Sequence, residues 1–89
     1  MNYNEIESLI RKNQLQQALE QLNFLVQANP DDDRALFLRG KVYWRLGLRP
    51  QATSDYAAAS LLNPDSPATE ALRMARDIED FFNPDLLNP

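Results

Sequence analysis

The sequence predicts an all-α fold: five antiparallel helices forming two stacked helix-turn-helix repeats and a C-terminal capping helix. Three observations carry this. First, Ala18-Leu22-Leu25-Ala28-Asn29-Pro30 recurs as Ala52-Tyr56-Ala59-Leu62-Asn63-Pro64, a period of 34 residues, which belongs to a stacked helical hairpin. Second, there are two glycines, and four of the six prolines follow asparagine. These residues punctuate helices. Third, apolar residues between the punctuation marks recur at three- and four-residue steps, and no period-two alternation is long enough for a strand.

The first helix is expected over about residues 3–12, with Ile6, Leu9 and Ile10 inward. The second covers about 15–28, with Leu15, Ala18, Leu22, Leu25 and Val26 inward. The residue before proline disfavours helical angles, so Asn29-Pro30, Asn63-Pro64 and Asn83-Pro84 read as stops. The third helix covers about 33–46. Asp31 and Asp32 are its candidate N-caps, because a carboxylate there accepts orphan backbone N–H groups. Gly47 suits a left-handed exit. The fourth covers about 50–62 and starts at Pro50, where a missing N–H is harmless. The fifth covers about 67–82, capped by Ser66 with Pro67 at its first position. The links of two to five residues imply antiparallel neighbours.

At 89 residues one small domain is the expectation. It divides into a first repeat over about 1–30, a second over about 31–64, a capping helix over about 66–82 and a tail over 83–89. Such a domain buries only ~60–65% of the surface its unfolded chain exposes. There is no cysteine and no histidine, which removes disulfides, thiolate chemistry, the commonest general base and the commonest metal ligand. Ser54, Ser60 and Ser66 lack an activating partner, and no glycine-rich phosphate loop occurs. The cluster Asp31-Asp32-Asp33 lacks the spacing and glycine turn of a calcium loop and reads as helix capping. The expectation is therefore no enzyme, no metal and no cofactor. No apolar run reaches the roughly 18 residues of a membrane span, and Met1-Asn2-Tyr3-Asn4-Glu5 is unlike a signal peptide. A cytoplasmic location is expected. The net charge of -4 argues against nucleic acid or anionic membrane as partner.

Leu36-x-x-Arg39-Gly40-x-x-Tyr43, followed by Ala52-x-x-x-Tyr56, Ala59 and Pro64, resembles the tetratricopeptide repeat. Gly40 and Ala52 are small where the two helices of a repeat approach, Tyr43 and Tyr56 are bulky where repeats meet, and Ala59 is small at a crossing. Two positions depart from the pattern: Leu36 replaces an aromatic and Arg39 a leucine. A cation at position 39 must snorkel or find an acid. In the first repeat Ile6 stands where the glycine would be. The fifth helix is made polar by Arg73, Arg76, Asp77, Glu79 and Asp80, as a solvating cap requires.

The resemblance implies a protein-protein interaction module, an adaptor or scaffold, whose first helices line a concave groove for a peptide or helix of another protein. On the third helix the groove side carries Arg34, Phe37, Leu38, Lys41, Trp44 and Arg45, which share one face. Tyr3 and Glu7 flank them from the first helix. Residues 34–49 hold five basic residues (Arg34, Arg39, Lys41, Arg45, Arg49) and no acid, so an acidic or carboxylate-bearing segment is the expected ligand. One branch of the family clamps a chaperone's C-terminal carboxylate with Lys, Asn and Arg. The matching positions here are Tyr3, Glu7, Leu38, Ala68 and Leu72, which disfavours that ligand. The tail carries Phe81, Phe82, Leu86 and Leu87. It is expected either to cover its own domain or to dock on another copy as a homodimer. The alternative function is thus a self-assembling structural protein, joined through groove or tail.

Overall fold

The computed structural model describes residues 2–81, with side chains of the last helix described as far as Ile78. Five helices follow one another: α1 (Tyr3–Arg11), α2 (Leu15–Ala28), α3 (Asp33–Arg45), α4 (Arg49–Leu62) and α5 (Pro67–Phe81). No strand occurs among the described residues. Consecutive helices pack on one another, and α1 also reaches α3.

The 34-residue period is visible atom by atom at the turns. Asn29 and Asn63 both leave the helix with extended backbone, at φ -147, ψ 91 and φ -146, ψ 97, as a residue before proline should. Each side chain then accepts the N–H two residues on, Asp31 at 3.2 Å and Asp65 at 3.1 Å. Within each repeat the turn is also duplicated. Gly47 has φ 81 and Asn13, one period earlier, has φ 61. The N–H of Leu48 donates to the Tyr43 carbonyl at 2.9 Å, and that of Gln14 to the Leu9 carbonyl at 2.8 Å. Both are the long bond of a helix-ending left-handed cap. Asparagine tolerates that conformation better than most non-glycine residues, so the first repeat keeps the turn without the glycine.

Caps fix the starts. Asn2 accepts the Glu5 N–H at 2.9 Å and Asp32 the Ala35 N–H at 3.1 Å. Asp32 is therefore the cap of α3, while Asp31 serves the preceding turn. Ser66 accepts the Ala68 N–H at 3.0 Å. The helix limits differ slightly from expectation. α1 and α3 stop one residue early because Asn13 and Gly47 unwind the backbone ahead of the next helix. α4 begins at Arg49, so Pro50 occupies its second position. Proline is tolerated there for the same reason, since the first-turn N–H groups have no helical acceptor.

The core has two parts with α3 between them. Ile6, Ile10, Ala18, Leu22, Ala35, Leu38 and Val42 fill the space among α1, α2 and α3. Leu36, Ala52, Tyr56, Ala59, Ala68 and Ala75 fill that among α3, α4 and α5. Gly40 lies under the Tyr56 ring. One period earlier the same pair is Ile6 and Leu22, both fully buried. Volume removed from the second helix is returned on the first, so the absence of glycine at position 6 is compensated. The departure at Arg39 is also resolved. Its Nε and Nη2 donate to Asp55 Oδ2 and Oδ1 at 2.7 and 2.8 Å, and its Nη1 donates to Asn23 at 3.2 Å. Asp55 is 5% exposed, and this two-pronged bond holds the guanidinium more firmly protonated than usual despite burial. In α5, Ala68 and Ala75 are buried while Arg73, Arg76 and Asp77 are exposed, the division a cap needs.

Candidate partner-binding groove

Hollows open along α1, α3 and α5. A cavity of about 260 Å³ is lined by Glu7 from α1, by Asp33, Arg34, Phe37 and Leu38 from α3, and by Ser66 and Pro67 at the start of α5. A second, more polar hollow of about 300 Å³ lies between α1 and α3, lined by Glu7, Ile10, Arg11, Lys41 and Arg45. A third, apolar one of about 180 Å³ lies where α3 faces α5, with Trp44, Tyr56, Ala71, Met74, Ala75 and Ile78 around it.

The eight residues assigned to the groove from the sequence have different surroundings. Tyr3 is committed to the fold. Its hydroxyl donates to the Asp32 carboxylate, the N-cap of α3, and its ring lies 4.5 Å beneath the Arg34 guanidinium. Burial first, then the bond to Asp32, pushes its phenol up to about 12. Arg34 reaches Glu7 at 3.6 Å, an exposed pair of little energetic consequence. Phe37 packs on Tyr56 with ring centroids 6.0 Å apart, and Lys41 sits 5.6 Å above the Phe37 ring. Trp44 is half-buried against the second core, with Arg49 4.9 Å over its ring. Arg45 is exposed, yet its Nη1 donates at 2.9 Å to the Ile10 carbonyl, which also accepts the Asn13 N–H at 3.0 Å.

Leu38 is the correction. It is 1% exposed and belongs to the first core, so it is the floor of the groove and offers no accessible surface. Helical spacing placed it on the arc between Arg34 and Lys41, but that arc meets the α1–α2 contact. Five lining residues escaped the sequence reading: Arg11, Ala71, Met74, Ala75 and Ile78. Arg11 and Ile78 follow from extending the same face to α1 and α5. Met74 had no signal of its own. Of the tail residues, Phe82, Leu86 and Leu87 lie outside the described residues, and Phe81 is described solely as the last residue of α5.

The family model for the TPR repeat matches residues 7–47. The chain is also similar to the Bacteroides fragilis protein BF1650, whose solution structure is known from NMR. The two share 38% identity over 99% of this chain and 91% of that one, with a TM-score of 0.84. The chain belongs to the tetratricopeptide-repeat family. No curated protein matches it. As a tetratricopeptide-repeat protein it carries a fold that mediates protein-protein interaction. Among the described residues of this repeat protein no three His, Cys, Asp or Glu side chains gather as a metal site. None of its described helices is long and apolar enough to cross a membrane.

Proposed function

We propose that the hollowed face of α1, α3 and α5 receives a peptide or helix of another protein, and that the ligand presents a carboxylate to the hollow between α1 and α3. The observation that carries this is the lining of that hollow. Arg11, Lys41 and Arg45 converge on it against the single acid Glu7. Arg45 is held in place by the Ile10 carbonyl, so its remaining donors are already oriented, which lowers the entropy lost on binding. The adjoining cavity supplies the Phe37 ring and the Arg34 guanidinium. A local basic face on a chain of net charge -4 attracts an acidic peptide, while the acidic remainder repels the long polyanions that would compete for it. The protein then acts as an adaptor or scaffold.

The test starts from the full chain as bait, followed by identification of the captured protein and synthesis of its binding segment. The affinity of that segment is then measured by fluorescence anisotropy. Lys41→Ala should weaken it by about fivefold, the equivalent of ~1 kcal/mol, Lys41→Glu should weaken it further, and added salt should shrink both differences. Equal affinity for all three chains sinks the proposal.

A further inference from the structure

The hollow between α1 and α3 carries more positive charge than one carboxylate answers. Three other arginines are matched with acids: Arg34 with Glu7, Arg39 with Asp55, and Arg73 with Glu70 and Asp77. Arg11, Lys41 and Arg45 are not. No carboxylate among the described residues forms an ion pair with any of them. Two of the three are held by neutral groups instead. Arg45 Nη1 donates to the Ile10 carbonyl at 2.9 Å, and Lys41 Nζ lies 5.6 Å from the centre of the Phe37 ring. A carbonyl or a ring orients a cation and leaves its full charge for a ligand.

Arg11, Lys41 and Arg45 line this hollow together with Glu7, and Glu7 is already engaged by Arg34 at 3.6 Å. The four cations Arg11, Arg34, Lys41 and Arg45 against this one acid leave a formal charge of three. A single carboxylate answers one of those charges. We infer that the ligand segment also carries a phosphorylated serine or threonine, whose phosphate enters the hollow beside the carboxylate. This rests on the reading of the hollow as the ligand site. A phosphate brings about −1.5 to −2 charge at neutral pH and three strong acceptor oxygens on one atom, which matches the remainder. Arginine bonds it through two parallel N–H groups. Arg11 approaches from α1, and Lys41 and Arg45 from α3, so the donors come from two helices. A second carboxylate in its place supplies half the charge.

The test uses the full chain and fluorescent pools of short peptides with randomised flanks. Each pool has one fixed glutamate and, two positions away on the same face of an extended segment, phosphoserine, serine or a second glutamate. The phosphoserine pool should bind about tenfold tighter than the serine pool, as one further charged hydrogen bond provides, and the second glutamate should recover a minor part of that. Arg11→Gln and Lys41→Ala should each remove most of the difference. If the second glutamate serves as well as phosphoserine, or all three pools bind alike, the inference is overturned while the carboxylate reading stands. If no pool binds, both fall. A phosphoserine advantage that survives in both variants puts the phosphate elsewhere and overturns the inference. So does displacement of the phosphoserine pool by inorganic phosphate as readily as by unlabelled pool, which marks a site for the free ion.

Discussion

A methyl group at Gly40 would lie 2.6 Å from Cε1 and 2.7 Å from Cδ1 of the Tyr56 ring. The ring cannot simply swing aside, since Tyr56 is 5% exposed and wedged among Phe37, Ala68 and Ala75. Gly40→Ala gains ~1 kcal/mol of helix propensity but overpacks the contact, at a cost of about 1–3 kcal/mol. The net expectation is destabilisation in urea unfolding. Because the first repeat uses Ile6 with Leu22 at the same two positions, Tyr56→Leu should be less harmful beside Gly40→Ala than alone. The coupling should be ~1 kcal/mol in a double-mutant cycle. Simple additivity would contradict the volume exchange between repeats.

The bond between Arg39 and Asp55 gives a second expectation. Asp55→Ala strands a largely buried guanidinium and should destabilise by about 2–4 kcal/mol, toward the lower part of that range because Arg39 keeps a 20% exposed edge. Arg39→Leu alone strands the carboxylate and should be similarly harmful. Arg39→Leu together with Asp55→Ala should recover most of the loss, since an ion pair replaced by apolar groups is often neutral. Urea midpoints of the three variants check this. A double variant as weak as the sum of its singles would mean zero coupling energy and would contradict the pairing of Arg39 with Asp55.

Left-handed turns predict a graded pair of effects. Gly47→Ala forces a Cβ into positive φ, at 81, and should lose ~1 kcal/mol or somewhat more, whereas Asn13→Ala, at φ 61, gives up only asparagine's better tolerance of that region and should lose less. Apart from Gly47 and its two chain neighbours, no heavy atom lies within 4 Å of a Cβ at that position, so the Gly47→Ala loss is conformational strain alone. Asn13→Gly should be close to neutral. Thermal unfolding of the three variants measures it, and an intact Asn13→Ala would contradict the assigned turn.

Alkaline pH should weaken the fold. An unperturbed tyrosine ionises near 10.0, whereas burial first, and the Asp55 carboxylate next, push Tyr56 up to about 12 while Arg45 pulls the other way. Between those values the folded state binds more protons than the unfolded one. Stability is therefore intact below pH 10 and falls as pH rises toward 12. Tyr3 acts in the same window and direction. Urea midpoints at rising pH should fall less steeply for Tyr56→Phe than for the unaltered chain. Parallel slopes would remove Tyr56 from the account.

Much of this architecture is legible in the sequence because its determinants are local. Asn29, Asn63, Asp32, Ser66 and Gly47 each act on backbone within a few residues, so type and spacing suffice to place them. Asn13 carries no proline after it, unlike Asn29 and Asn63, and its positive φ leaves no compositional mark. Asp55 was passed over because its role depends on Arg39, 16 residues earlier in the chain and on another helix. The groove illustrates both cases. Periodicity groups Arg34, Phe37, Lys41, Trp44 and Arg45 on one side of α3, but it assigns a direction and not a depth. Leu38 is therefore buried where Lys41 is not, and the partners of each cation, Glu7 for Arg34 and the Ile10 carbonyl for Arg45, come from α1.

Arg39 also ties the second repeat to the first, since its guanidinium bonds Asn23 on α2 as well as Asp55 on α4. Stacked repeats ordinarily behave as a row of nearly independent units that can fray from either end. Here one side chain is a keystone shared by three helices, and opening either hairpin withdraws a partner from it. A stack this short consequently has no partly melted form worth populating: amide exchange in α2, α3 and α4 should report one common opening event, with the two hairpins melting together.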